Sequence, residues 1–465
     1  MVQRYDVVII GAGTAGLSAL SEVRKRTDSF LLVNQGAWGT TCARVGCMPS
    51  KALIEAADLF HRRTVMEEMG IAGGSALRAD GAAVMSRVRR LRDGFVAGVL
   101  KATDDLGERS VSAHARLLGP GLVEVGGRRV ETDAVIVAAG SSPVIPKGWR
   151  DIPGVITSDN LFELSELPRS MAVVGLGAVG LEIAQALSRL GVQVQGFDAA
   201  ATMAGLSDSE VLSSAIRSIG SELPLHLETQ VDLKAADDGV RVSWNDQSAV
   251  FDMALVAVGR RPNLRDLGLE NLGVELDGRG LPDFDPATMR VGDLPVYLAG
   301  DVNGRAPVLH EAADDGRIAG YNCLRETPRS FCRRTRLGIV YTEPCIATVG
   351  EPEKEGSVTG SVDFSRQGRA RLSGRASGSL KVWARSSDGL LQGAELCAPG
   401  GEHLAHQLAW AAQNGMTVGQ MLGLPFYHPT LEEGLRTAVR RAVRAAGLSA
   451  DSELPPCSGL PSGLD

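Results

Sequence analysis

Two stretches of this chain follow one plan, and that repetition restricts the fold more than any other feature. The first runs Tyr5-Asp-Val-Val-Ile-Ile, then Gly11-Ala-Gly13-Thr-Ala-Gly16, a helical stretch to about Arg26, and a strand over residues 30–33. The second runs Met171-Ala-Val-Val, then Gly175-Leu-Gly177-Ala-Val-Gly180, a helical stretch to Leu190, and a strand over residues 192–197. Each is strand, G-x-G-x-x-G, helix, strand. The glycines allow a tight turn, close approach of backbone to pyrophosphate, and close helix–strand packing. The helix N-terminus then presents unpaired N–H groups and a favourable dipole to the phosphates. A lone motif carries little weight in a chain with 56 glycines; the strand before and the helix after each one give it force. Two such units imply two dinucleotides, or one dinucleotide and a decayed site.

The rest of the chain is read around these units. At roughly 150 residues per domain, 465 residues suggest about three domains. Hydrophobic residues at 44% and charged residues at 22% are ordinary for a globular protein. A net charge of −7 gives no reason to expect nucleic acid. Arg436, Arg440 and Arg444 repeat every four residues, as a solvated helix stripe does. No apolar run approaches the ~20 residues of a membrane span, and no basic, apolar leader precedes the first strand. A cytoplasmic location is expected. Pro143, Pro146 and Pro153 mark the passage between the two units. A basic stretch opened by Pro328 marks another boundary. Beyond it, residues 335–350 and 378–400 read as strands, and residues 402–414 and 431–446 as helices. The tail over residues 449–465, rich in Ser, Pro and Gly, reads as disordered.

Seven cysteines are a sparse, odd set, which argues for a reducing compartment. Cys42 and Cys47 stand close together in Gly39-Thr-Thr-Cys42-Ala-Arg-Val-Gly-Cys47-Met-Pro-Ser-Lys51. In a regular helix, residues five apart have Cα atoms roughly 8–9 Å distant, whereas a disulfide needs about 4.4–6.8 Å. A bridge therefore requires an unwound turn, and Gly46 is placed to permit one. A structural disulfide, a zinc half-site and two unrelated thiols are weaker readings: the compartment is reducing, and no second pair has metal-ligand spacing. Cys323, Cys332, Cys345 and Cys397 read as core thiols, and Cys457 in the tail as incidental. His310, His403 and His406 read as packing or surface residues.

The cysteine segment and several others together resemble the pyridine nucleotide–disulfide oxidoreductases, most of all the dihydrolipoyl dehydrogenases. The family motif is close to G-G-T-C-x-N-x-G-C-x-P-S-K. This chain keeps both cysteines, Gly46, Pro49, Ser50 and Lys51, and departs with Thr40 for glycine and Arg44 for asparagine. Ala138-Ala-Gly140, Val258-Gly-Arg-Arg-Pro-Asn263, Leu298-Ala-Gly-Asp301, Tyr341-Thr-Glu-Pro344 and Tyr427-His-Pro-Thr430 extend the likeness over roughly residues 4 to 445.

The resemblance implies an α/β fold with two Rossmann-like domains, for FAD and NAD, and a C-terminal α+β dimerisation domain. Residues 1–150 and 283–330 would bind FAD, residues 151–282 NAD, and residues 335–448 would form the dimer interface. Gly11, Gly13, Gly16, Asn34, Lys51, Gly140 and Asp301 are the expected FAD contacts. Gly175, Gly177, Gly180, Glu182, Asp198 and Gly259 are those on the NAD side. Asn34 stands where an acidic residue would hold the adenosine ribose, so weaker FAD binding is expected. Asp198 ends its strand without an arginine or lysine in the four residues after it, which points to NAD rather than NADP.

By the same likeness, Cys47 lies next to the flavin, Cys42 meets the substrate, and Lys51 pairs with Glu182. His428, oriented by Glu433, is the base that reaches the partner subunit's cysteines, which makes the protein a homodimer. The activity implied is oxidation of dihydrolipoamide with NAD⁺ as acceptor. Its partners would be lipoyl groups or a small dithiol, within a 2-oxo acid dehydrogenase complex or free of one. No metal, nucleic acid or membrane is expected. Another disulfide reductase, a mercuric reductase, or a flavin diaphorase with idle thiols are the alternatives.

Overall fold

The structure, a computed structural model, describes residues 3–448; the tail and Cys457 lie outside the described residues. The run Gln3–Ile10 forms the middle of the first sheet. Its last four residues, Val7 to Ile10, are buried, as expected of a parallel strand covered on both faces. Phe30–Asn34 and Arg128–Val137 flank it in parallel, with Ser110–Ser112 beyond the former. Leu122–Val125 and Ala115–Gly119 continue the sheet antiparallel beyond Arg128–Val137. Val296–Leu298 also pairs with Arg128–Val137, so the chain returns to its first sheet after building the second.

The helices that matter for the site are α1 (Thr14–Val23), α2 (Thr41–Val45), α3 (Cys47–His61), α4 (Gly81–Asp104), α5 (Ala178–Arg189) and α6 (Leu309–Asn322). Helix α6 crosses α1 on small residues. A Cβ on Gly316 would lie 2.1 Å from the Ala15 carbonyl oxygen, and one on Gly320 2.4 Å from that of Ala19.

The second unit repeats the parallel plan. Its order is Leu225–His226, Gln193–Phe197, Ser170–Val174, Met253–Val256, Val155–Ile156. A three-stranded antiparallel sheet, Val231–Ala236, Gly239–Trp244 and Gln247–Phe251, packs on it through Phe197, Val242 and Trp244. The short antiparallel ladder of Ser141–Pro143 with Arg260–Pro262 joins the two units.

The C-terminal unit is an antiparallel sheet ordered Leu337–Val340, Cys345–Gly350, Leu391–Ala398, Ser379–Arg385, Ser357–Asp363. Two further helices, α7 (Gly401–Gln413) and α8 (Glu432–Ala445), share its core. The edge strand Ser357–Asp363 is not legible in the sequence, because Ser-Val-Thr-Gly-Ser-Val-Asp carries little apolar signal. It forms because α8 lies directly on it: a Cβ on Gly360 would meet the Ala438 oxygen at 2.1 Å.

One expectation about the thiols is corrected. Cys323, Cys345 and Cys397 are buried, but Cys332 is exposed. It sits in an arginine-rich segment without regular structure, tied back by the Phe331 N–H donating to the Ala287 oxygen. No helix among the described residues is long and apolar enough to cross a membrane.

The α1–α6 crossing generates a stability prediction. Gly316→Ala places a methyl against backbone that cannot move as a side chain would. It should destabilise the fold by about 1–3 kcal/mol, the usual cost of overpacking. Gly278→Ala, with nothing within 4 Å of the new methyl, is the control. Thermal melts of both variants check this; an unchanged midpoint for Gly316→Ala would mean the two helices can separate freely.

Candidate active site

The redox segment begins with a helix that stops early. Helix α2 ends at Val45 and α3 starts at Cys47, with Gly46 between them at φ −127° and ψ −118°. A Cβ on Gly46 would lie 3.2 Å from the Cys42 Cα, so the interruption folds the segment back onto Cys42. Pro49 falls in the first turn of α3, where its missing N–H costs nothing. Thr40 has φ +59°, a conformation that favours glycine, and its side chain offsets this by accepting a hydrogen bond from the Ala43 N–H (3.2 Å). Arg44, the second departure, has its Nε buried without a hydrogen-bond partner.

The two thiols are not equivalent. The neighbouring Cys47 raises the Cys42 thiol, and burial adds to this. The contact with Cys42, together with the Lys51 cation, lowers Cys47 to about 7 against the resistance of burial. Cys47 is also the first residue of a 15-residue helix, where the dipole favours a thiolate. Lys51 Nζ lies 2.8 and 3.0 Å from the two carboxylate oxygens of Glu182, which is buried in α5. The Tyr341 N–H donates to the same carboxylate at 2.9 Å, and the Tyr341 ring lies 4.4 Å from the Lys51 nitrogen.

A cleft of about 630 Å³ opens beside the pair, lined among others by Cys42, Cys47, Lys51, Glu182, Asp301 and Tyr341. Asp301 follows Gly300 and accepts from the Ser141 hydroxyl at 2.6 Å. Arg260 holds Ser141 in turn, donating to its hydroxyl (2.9 Å) and its carbonyl (2.7 Å). Gly140 and Gly259, both at positive φ, stand where the linking ladder leaves the two sheets.

Both glycine loops fit a dinucleotide on an internal observation. In the first, a Cβ on Gly11 would strike the Ala138 oxygen (2.2 Å) and one on Gly16 the Gly11 oxygen (1.8 Å), while one on Gly13 would meet nothing within 4 Å. In the second, Gly175 would strike the Ala257 oxygen (2.5 Å) and Gly180 the Gly175 oxygen (1.9 Å), while Gly177 is again open. Each loop is thus packed on its protein side and free on the side a phosphate would take. Neither α1 nor α5 has a side-chain N-cap, so their first N–H groups are available to an anion. The strand ends match as well. The Asn34 amide oxygen accepts from the Ala12 N–H (3.1 Å), and the Asp198 carboxylate accepts from the N–H groups of Leu176 (2.6 Å) and Ala200 (2.8 Å).

His428 and Glu433 form their own dyad elsewhere on the chain. His428 Nδ1 lies 3.0 and 3.1 Å from the two Glu433 oxygens, and the Thr430 N–H donates to the same carboxylate. The histidine bond holds Glu433 below the usual carboxylate range. Glu432 turns instead to Gln407. The His428 side chain is 80% exposed and is not among the residues lining the cleft. His310 and His403 are exposed and His406 packs against Trp410, and His310 and His406 also border the cleft. Tyr341, Arg260 and Ser141 were missed as site residues, because their roles come from pairings across the chain that no local spacing announces.

Residues 5–316 match the model of the pyridine nucleotide-disulphide oxidoreductase family, and residues 337–439 match that family's dimerisation domain. The chain belongs to this family. A dihydrolipoyl dehydrogenase from Thermus scotoductus is 32% identical over 94% of this chain and 97% of its own length. A mercuric reductase from Staphylococcus aureus is 26% identical over 93% of this chain and 82% of its own. The crystal structure of LpdA from Mycobacterium tuberculosis superposes with a TM-score of 0.81 at 26% identity, covering 95% of this chain and 99% of that one. As a pyridine nucleotide-disulphide oxidoreductase, the protein is an NAD(P)-dependent flavoenzyme that uses FAD and NAD(H) and carries the family's dimerisation domain.

The asymmetry of the thiols is directly measurable. Iodoacetamide added to the reduced protein should label Cys47 with a half-maximal rate near pH 7, below an ordinary thiol at 9.0. The sign follows from the shift: above about 7 Cys47 is largely thiolate, and below it the nucleophile is lost to protonation. Peptide mapping reads the site, and a Cys47 midpoint at the ordinary thiol value of 9.0 would overturn the prediction.

Proposed function

We propose that the protein is a dihydrolipoyl dehydrogenase-like enzyme, oxidising a dithiol of the dihydrolipoamide class with NAD⁺ as the final acceptor. The observation that carries this reading is the cysteine pair itself: Cys42 and Cys47 face one cleft across the broken helix, with the Lys51 cation, held by Glu182, one turn beyond Cys47. In a turnover that starts from the oxidised pair, one substrate thiolate attacks the Cys42 sulfur and displaces Cys47 as thiolate. The second substrate thiolate attacks its own sulfur in that mixed disulfide, closes the cyclic disulfide and releases Cys42. Two thiol protons leave the substrate, one cysteine disulfide is reduced, and one substrate disulfide forms.

His428 of the partner subunit takes those protons in turn, passing one on to the released Cys42, with Glu433 fixing its tautomer. A dyad whose histidine side chain is 80% exposed, on the dimerisation unit and apart from its own chain's cleft, suits that role. Glycines 11, 13 and 16 with Asp301 would hold FAD, which supplies a two-electron carrier between the thiols and the nicotinamide. Glycines 175, 177 and 180 with Asp198 would hold NAD. Docking on a 2-oxo acid dehydrogenase complex belongs to the same reading.

A steady-state panel of dihydrolipoamide, glutathione disulfide, mercuric ion and quinones tests the substrate. Dihydrolipoamide should be preferred, and Cys42→Ser should abolish its turnover; full turnover in that variant would leave the thiols idle and the enzyme a diaphorase. His428→Ala should lower dithiol turnover by about 10²–10⁴-fold with FAD content unchanged. Mixed dimers of His428→Ala and Cys42→Ser chains should regain activity, since one of their two sites has both groups. Absence of recovery would locate each site within one subunit.

Nicotinamide choice is a separate test. The Asp198 charge, held at the strand end by two N–H groups, would repel a 2′-phosphate and accept from the ribose hydroxyls. A preference for NAD(H) over NADP(H) of at least ~100-fold in kcat/KM is expected, about 2.7 kcal/mol. Equal use of both nucleotides would remove Asp198 from that role.

A further inference from the structure

Three separate parts of the chain meet at the Lys51 ammonium. Lys51 comes from α3, Glu182 from α5, and Tyr341 from the residue just after the strand Leu337–Val340 of the C-terminal sheet. Glu182 takes the cation on one side at 2.8 and 3.0 Å, and the Tyr341 ring covers it at 4.4 Å on another. The ring is not free to wander. The Tyr341 N–H is bound to Glu182 at 2.9 Å. Two residues on, the Glu343 N–H donates to Gln185 Oε1 (2.9 Å), and Gln185 donates back to the Glu343 oxygen (2.8 Å). The segment carrying the ring is therefore stitched to α5, the helix that also carries Glu182.

The lysine needs such a restraint. Its side chain is 34% exposed, so a long flexible stem could carry the ammonium into water and away from the thiols. Among the described residues, Cys42, Lys51 and Glu182 act on Cys47, and the Tyr341 hydroxyl faces it too, its own pKa raised by burial first and by Cys47 among the nearby anionic groups. Of these, Glu182 opposes the thiolate, and Lys51 is the cation that favours it. Where the ammonium sits thus decides whether the carboxylate or the cation dominates at the sulfur.

We propose that Tyr341 is a positioning residue of the redox centre, its ring clamping the Lys51 ammonium against Glu182 so that the cation stays beside Cys47. This rests on the reading of Lys51 as the cation that serves the Cys47 thiolate. The attraction is that of a cation for a ring face, which needs the ring and not the phenol hydroxyl. It also means that the C-terminal unit of a chain serves that chain's own thiols through Tyr341, while its His428 serves the partner's.

The test is the pH profile of Cys47 alkylation by iodoacetamide in the full-length, FAD-loaded, reduced enzyme, read by peptide mass spectrometry. Tyr341→Leu keeps the backbone N–H and removes the ring. Its profile should move to higher pH, with the rate near pH 7 falling about two- to fivefold, the range a single exposed cation–ring contact can supply. Tyr341→Met serves as a second ring deletion if the leucine variant folds poorly. Tyr341→Phe should match the parent enzyme, whereas a fall equal to that of Tyr341→Leu would assign the effect to the hydroxyl and overturn the clamp. Lys51→Met should shift the profile further, and adding Tyr341→Leu to it should change nothing more. An equal Tyr341→Leu effect in the Lys51→Met background would also overturn the clamp, since the ring would then act without the lysine. If Lys51→Met shifts the profile and Tyr341→Leu does not, the clamp fails and the lysine reading stands. If Lys51→Met itself shifts nothing, both fail together.

Discussion

The structure turns on a helix that is interrupted for one residue. Without the break at Gly46, Cys42 and Cys47 would lie on one continuous helix, about 8–9 Å apart and unable to meet. With it, Cys42 lies in the first turn of a short helix and Cys47 at the start of a long one. The same break makes the sulfurs unequal, because Cys47 opens a 15-residue helix while Cys42 sits in one of five residues, and Lys51 follows Cys47 one turn later. Glycine is needed there for space as well as for freedom, since its missing side chain would press on the Thr41 oxygen at 3.1 Å.

Around that break the protein places an ion pair whose carboxylate is buried, an arrangement that is costly unless that group is satisfied. Glu182 meets this condition with Lys51 on one side and the Tyr341 N–H on the other. A neighbouring seam repeats the logic: Arg189, also buried in α5, is bound by Asp58 of α3, by Glu222 and by the Glu343 carbonyl. Here burial raises Glu343 to about 7 and pushes Asp58 upward, each against a nearby arginine. Helix α5 is thus the piece against which the first and third units are registered.

The doubled glycine motif, its strands and the C-x4-C pair were all legible in the chain because they are local. Each needs only a few consecutive residues of fixed type, and the backbone physics that demands glycine acts within that span. Asn34 and Asp198 were legible as strand ends, but not that both fasten their own glycine loops, through Ala12 and Leu176. Cys332 was misread because thiols are usually buried, and its neighbours, Arg333 and Arg334, were not weighed against that tendency. The edge strand Ser357–Asp363 was missed because what holds it is a helix some 80 residues later, not its own pattern.

By itself the sequence determined the fold class, the two nucleotide loops, the redox pair and the pairing of histidine with glutamate, since each is written in short spacings. Only the tertiary structure decided that the cation beside Cys47 is held in place, because Lys51 is fixed by Glu182, 131 residues away. It alone brought Arg260 to Ser141 and Ser141 to Asp301, over separations of 119 and 160 residues. It alone set Tyr341 over Lys51 and turned His428 away from its own chain's cleft. The physical reason is common to these cases: charge and hydrogen bonding act through space over a few ångströms, and chain spacing does not record which distant residues come that near.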